Sequence, residues 1–158
     1  MIVRRATVND IPELLRIEDE CFGIERFSAD VVRAFIVRED AFTVVAYDEH
    51  TGKLAGSASC LVSEDASEGR VASVSVVKDH REQGIGSSLL NECERILLGF
   101  RLRKYVLEVE TTNTPAINLY KNRGYGFAGL VKDYYGSGRD AYAMEKKLNR
   151  TTRKLIVR

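Results

Sequence analysis

Residues 71–100 read VASVSVVKDHREQGIGSSLLNECERILLGF, and this stretch decides the fold. It opens as a strand, with Val71, Ser73, Ser75 and Val77 on one face and Ala72, Val74 and Val76 on the other. It closes as a helix, because Ile85, Leu89, Leu90, Cys93, Ile96 and Leu97 share one face at helical spacing. Arg81-x-x-Gly84-x-Gly86 joins the two. The first turn of a helix leaves amide N–H groups without partners and carries partial positive charge. Glycine there removes the Cβ that would keep an anion at a distance. The backbone amides from Glu82 to Ser87 are therefore a candidate cradle for a pyrophosphate, while the same glycines serve equally well as a tight strand-to-helix connection. A Walker loop is excluded, since no lysine follows either glycine. A dinucleotide fingerprint fails at Leu89, where a small residue is required.

Working outward, residues 1–6 read as a first strand. Asp10, with Glu13 three residues on, is expected to open a helix through a capping box, its apolar stripe being Ile11, Leu14, Leu15 and Ile17. Ser28 is expected to cap a second helix running to about Arg38, and the loop CFGIERF (21–27) separates the two. AFTVVAYD (41–48) and KLAGSASCLVS (53–63) form a hairpin. Downstream, KYVLEVE (104–110) is a strand and TPAINLYKNRG (114–124) a short helix. GYGFAGLVKDYY (124–135) and DAYAMEKKL (140–148) close the chain as a hairpin across GSGR (136–139). Strands alternating with helices and ending in a hairpin give an α/β fold with a mixed sheet.

The 158 residues amount to one domain, expected over 1–148, followed by a basic tail at 149–158. A net charge of +1 exerts no global pull toward nucleic acid or membrane. No apolar run approaches the ~20 residues of a membrane span, and MIVRRATVND is no signal-peptide core. Cys21, Cys60 and Cys93 are widely spaced and odd in number, which points to a reducing cytoplasm. With His50 and His80 the only histidines and no CxxC pair, no metal site is expected.

The strand–RxxGxG–helix unit is followed by LEVETTNTPAINLYKNRGY (107–125) and DYYGSGRDAYAM (133–144). Together these resemble the GCN5-related N-acetyltransferase (GNAT) superfamily, and within it the protein α-amine acetyltransferases of the ribosomal-protein alanine type and their archaeal relatives. The resemblance covers residues 1–148. It implies a mixed, mostly antiparallel sheet that splays between its fourth and fifth strands and is flanked by four helices. It also implies acetyl-CoA as co-substrate, bound in that splay. The pantetheine arm would pair with the backbone of Val74, Ser75 and Val76. The pyrophosphate would sit on the amides of Glu82, Gln83, Gly84, Ile85, Gly86 and Ser87. Asn113 matches the residue that reaches the cofactor arm, although Asn before Thr114 and Pro115 is also an ordinary helix cap.

The same resemblance assigns the chemistry. Glu108, opposite Leu107 and Val109 on its strand, matches the general base, and Tyr120 matches the acid that protonates the departing sulfur. The Val76 amide would donate to the oxyanion. Read from the residues alone, Glu108 is equally a solvated strand position and Tyr120 a packed tyrosine. Arg70 stands where some archaeal relatives carry a histidine that assists deprotonation. An arginine cannot be that base, so it either steers acidic peptides or flanks a strand. Phe22, Glu25 and Phe27 match the peptide-contacting loop, with core packing as the other reading of both phenylalanines. Tyr134 and Tyr135 match a tyrosine pair that binds the peptide backbone, with sheet packing as the other reading of the two residues.

The expected partners are protein or peptide N-termini, with the ribosome as a further candidate. No membrane partner is expected, and the assembly is a monomer or weak homodimer. The competing readings are a small-amine or lysine acetyltransferase, and a non-catalytic acyl-CoA-sensing or ribosome-associated module whose tail contacts RNA.

Overall fold

Burial differs from strand to strand: it alternates along β5 and is nearly continuous along β2 and β3. A computed structural model describes residues 1–149. Among them lie strands β1 (Ile2–Arg5), β2 (Ala41–Asp48), β3 (Lys53–Ser63), β4 (Glu68–Val76), β5 (Lys104–Glu110), β6 (Gly126–Val131) and β7 (Ala141–Lys147). The helices are α1 (Ile11–Phe22), α2 (Ala29–Val37), α3 (Ile85–Leu97) and α4 (Thr114–Asn122). This is the expected mixed α/β arrangement. All of the expected tail except Asn149 lies outside the described residues.

The chain forms two compact units, Met1–Val62 with Val71–Gly99, and Ser63–Arg70 with Phe100 onward. Strand β4 supplies residues to both. In the first unit the strand order is β1-β2-β3-β4, with β1–β2 and β2–β3 antiparallel. Every residue of β2 except Tyr47 is buried. Successive side chains of a strand point to opposite faces, so both faces of β2 are covered; α2 and α3 both pack on it. The helical stripe expected for α3 is the buried one, with Leu89, Leu90, Cys93 and Leu97 wholly inside.

Gly56 on β3 has a specific reason to be glycine. A Cβ there would lie 2.6 Å from the Ser75 carbonyl oxygen and 3.2 Å from Leu89 Cδ1. The Leu89 side chain can shift, but the β4 backbone at Ser75 cannot yield cheaply. Gly56→Ala is expected to destabilise the protein by about 1–3 kcal/mol, the scale of an overpacked core. A urea midpoint equal to wild type would show that β4 is free to move.

In the second unit the order is β4-β5-β7-β6. The parallel register pairs Glu68, Gly69 and Arg70 of β4 with Lys104, Tyr105 and Val106 of β5. β5–β7 and β6–β7 are antiparallel. Along β5, Tyr105, Leu107 and Val109 are buried, while Lys104, Val106, Glu108 and Glu110 are half-exposed. That alternation puts Glu108 on the face opposite the core, as its sequence pattern predicts.

Three local expectations are corrected. Asp10 does not cap α1: its backbone is already helical, and its carboxylate binds the Arg4 guanidinium at 2.8 and 2.9 Å and the Thr7 amide at 2.8 Å. The capping box belongs to Thr7 and Asp10, one turn earlier, while Glu13 pairs with Arg16. Strand β4 starts at Glu68 and ends at Val76, because the Val77 amide turns to the Ala55 carbonyl at 2.9 Å. The closing hairpin does turn across GSGR, where the Tyr135 amide bonds to the Arg139 carbonyl at 3.1 Å, but its connection is longer than those four residues. β6 ends at Val131, so Tyr134 and Tyr135 lie in a loop rather than a strand.

Candidate active site

In the first unit, β4 leads through a short 3-10 turn (Lys78–His80) into the glycine loop. Gly84 caps α3 in the left-handed region (φ 79°), no side chain bonds to the cap, and the first turn holds no acidic residue. The Ser88 amide bonds to the Gly84 carbonyl at 3.1 Å, so the amides of Ile85, Gly86 and Ser87 precede the helical ladder. A Cβ on Gly84 would meet no atom within 4 Å. By contrast, α2 and α4 are capped by Ser28 and Asn113, whose side chains accept from Val31 and Ala116 at 3.2 and 3.3 Å. A helix start with no capping side chain and no acidic residue in its first turn fits an anion.

The end of β4 is tied to the root of the α1–α2 loop. The Val76 carbonyl accepts from Arg81 Nε at 2.9 Å and from the Cys21 thiol at 3.7 Å, and Glu20 accepts the Lys78 amide at 3.0 Å. Burial pushes the Cys21 thiol up, with Arg81 partly opposing. The loop itself is a 3-10 turn (Gly23–Glu25) flanked by half-buried Phe22 and Phe27. Phe27 stacks on Phe35, ring centroids 5.7 Å apart, and its amide donates to Glu18 at 3.0 Å. Phe27 thus has a ring partner in Phe35 and stays half-buried, while Glu25 is exposed. Burial pushes the Glu18 carboxyl up against the opposing pull of that amide. Sequence reading passed over Glu18; its position one residue after Ile17 on the apolar stripe of α1 was the available signal.

In the second unit, Arg70 pairs with Val106 across the β4–β5 register, two residues before Glu108 on the same face of β5. From there Arg70 Nη1 donates to both carboxylate oxygens of Glu108. The Tyr135 hydroxyl donates to the Glu108 backbone carbonyl at 3.2 Å. Burial, reinforced by nearby Tyr134, Glu108 and Glu110, pushes the Tyr135 phenol up to about 12. Two residues along, Glu110 accepts from Arg139 Nε and Nη2 at 3.1 and 2.8 Å, which holds its carboxyl below the usual range. The Arg139 guanidinium also lies over the Tyr135 ring at 5.7 Å. Tyr135 and Arg139 therefore pin the β6–β7 loop to β5, and Tyr134 is left half-exposed, edge-on to Tyr135 at 4.9 Å. Inside the loop, Asp133 accepts from the Gly138 amide at 2.7 Å, and Asp140 accepts from the Asp133 amide at 2.9 Å. Arg139 was not foreseen, because nothing in GSGRD marks which acid it meets.

On α4, the Asn113 side chain serves as the helix cap. Tyr120 is buried, its ring edge-on to Tyr125 with centroids 5.9 Å apart. Among the described residues no group of three or more His, Cys, Asp or Glu is placed to hold a metal ion, and no helix is long and apolar enough to cross a membrane.

A model of the acetyltransferase (GNAT) family matches residues 11–127. The chain belongs to the GNAT acetyltransferase family. An N-alpha-acetyltransferase of Sulfolobus acidocaldarius is 30% identical to this acetyltransferase over 155 residues, covering 92% of each chain. The N-terminal acetyltransferase A complex catalytic subunit NAA10 of Arabidopsis thaliana is 29% identical over 150 residues, covering 92% of this chain and 77% of that one. Two solved structures share the fold. The ribosomal-protein-S18-alanine N-acetyltransferase from Escherichia coli superposes with a TM-score of 0.81 at 23% identity, covering 94% of both chains. Arabidopsis thaliana NAA60 in complex with acetyl-CoA gives 0.84 at 22% identity, covering 94% of this acetyltransferase and 98% of that chain.

Proposed function

We propose that the protein is an acetyl-CoA-dependent N-alpha-acetyltransferase that acetylates protein N-termini by direct attack of the amine. The observation that carries this reading is the likeness, over nine-tenths of both chains, to an archaeal N-alpha-acetyltransferase. The start of α3, with no capping side chain and no acid in its first turn, supports a bound pyrophosphate on the amides of residues 82–87, with Val74, Ser75 and Val76 as the strand backbone for the pantetheine arm and Asn113 as a further contact. When bound, acetyl-CoA supplies an activated carbonyl and a thiolate leaving group.

The chain's own residues supply the proton chemistry and the reception of the peptide. Glu108 takes the proton whose loss frees the amine lone pair. The Val76 amide donates to the oxygen that gains charge as the C–N bond forms. Tyr120 delivers a proton to sulfur as the C–S bond breaks. Phe22, Glu25, Phe27 and Tyr134 receive the peptide, while Tyr135 acts through its bond to β5. An α-amine has an ordinary pKa of about 7.7–8.0 against about 10.4 for lysine, so one carboxylate base suffices for it near neutrality.

The test offers peptides with a free α-amine beside the same peptides blocked at the N-terminus and carrying lysine. Fast acetylation of the first set and slow acetylation of the second is expected, read by intact mass. Equal rates on both would overturn the α-amine assignment.

A further inference from the structure

The two arginines beside β5 are used unequally. Arg139 is spent, with Nε and Nη2 on Glu110 and Nη1 on the Tyr135 carbonyl at 3.4 Å. Arg70 donates through Nη1 alone, to both oxygens of Glu108. Among the described residues its Nε and Nη2 have no hydrogen-bond partner, and its side chain is 38% exposed. A guanidinium presents five N–H donors in a planar fork, and the Nε/Nη2 edge matches the two oxygens of a carboxylate. Arg139 grips Glu110 through that same edge. On Arg70 that edge has no hydrogen-bond partner among the described residues, and it lies next to the carboxylate assigned to receive the amine.

We propose that Arg70 is a specificity-determining residue that reads an acidic side chain, Asp or Glu, in the first two residues of the substrate. The inference rests on the N-alpha-acetyltransferase reading. An N-terminus of this kind carries an ammonium and a carboxylate a few bonds apart, and Glu108 with Arg70 is the complementary pair. The substrate ammonium goes to Glu108 and its side-chain carboxylate to the Nε/Nη2 edge. Arg70 keeps Nη1 on Glu108 throughout, so the base stays oriented while the substrate is read. A lysine at the same position would meet the guanidinium as a like charge and be disfavoured.

The experiment uses the full chain and three peptides identical except for Asp, Asn or Lys at the second residue, with a parallel set varied at the first. Wild type should prefer Asp to Asn by about tenfold in kcat/KM in at least one set, the scale of one charge-assisted contact. The difference should lie mainly in KM. Arg70→Gln should erase the preference and Arg70→Glu should turn it toward Lys. Rising ionic strength should compress it in the wild type, a readout that needs no variant. Equal kcat/KM for Asp and Asn in both sets would overturn the inference and leave α-acetylation standing. So would a preference that survives Arg70→Gln. If no peptide is acetylated at its α-amine, the functional reading itself fails and this inference with it.

Discussion

Glu108→Gln is expected to lower turnover by ~10²–10⁴ at pH 7, the usual scale for a lost general base. The amide is isosteric and its oxygen can still accept from Arg70 Nη1, so the ion pair is weakened without emptying its place. The β5 backbone keeps its buried partners Leu107 and Val109, and the variant should remain folded. As pH rises past the α-amine's own value of about 7.7–8.0, the substrate arrives already deprotonated and much of the loss should return. The recovery has a clean reading, because the Tyr135 phenol, pushed up to about 12, stays protonated across this range and goes on donating to the Glu108 carbonyl. The measurement is turnover from pH 6.5 to 9.5 for variant and wild type. Wild-type turnover at pH 7 would place the base elsewhere, with Glu25 of the α1–α2 loop the next candidate.

Tyr120→Phe is expected to lower turnover by ~10² or more and to show no recovery with pH. The missing group is a proton donor to the leaving sulfur, and raising pH makes donors scarcer. Phenylalanine fills the same buried space and keeps the edge-on contact with Tyr125, so the variant should remain folded. The opposite pH behaviour of the two variants separates base from acid. Unimpaired turnover in the phenylalanine variant would remove Tyr120 from the chemistry and leave it as a packing residue.

Some of the protein was legible because the signal is local. The face of Glu108 follows from the strand period, since Leu107 and Val109 must point to the core and Glu108 away from it. The glycine turn and the α3 stripe follow from helical spacing and from the φ that glycine alone adopts freely. Ser28 caps α2 as its place before the apolar run requires. Local signals also misled. VKDYY reads as continued strand, yet Asp133 adopts φ 56° and its amide and carboxylate are bonded to Asp140 and Gly138, which ends β6 at Val131. Asp10 reads as a cap for α1, but Arg4 on β1 claims its carboxylate.

The sequence by itself therefore determined the family, the order of elements, the glycine turn that opens α3 and the strand face that carries Glu108. Each of these depends on residues within a few positions of one another, where backbone geometry fixes the outcome. Only the tertiary structure decided how the charges are paired. Arg70 and Glu108 are 38 residues apart, and Arg139 lies 29 from Glu110. The first pair meets because a parallel register sets Arg70 against Val106, and the second because a loop folds back onto β5. Composition offers 24 basic side chains and 23 acidic ones, and no period of the chain selects among them. The register and the loop did so, and among the described residues they left one arginine bonded along its Nε/Nη2 edge and the other bonded through Nη1 alone.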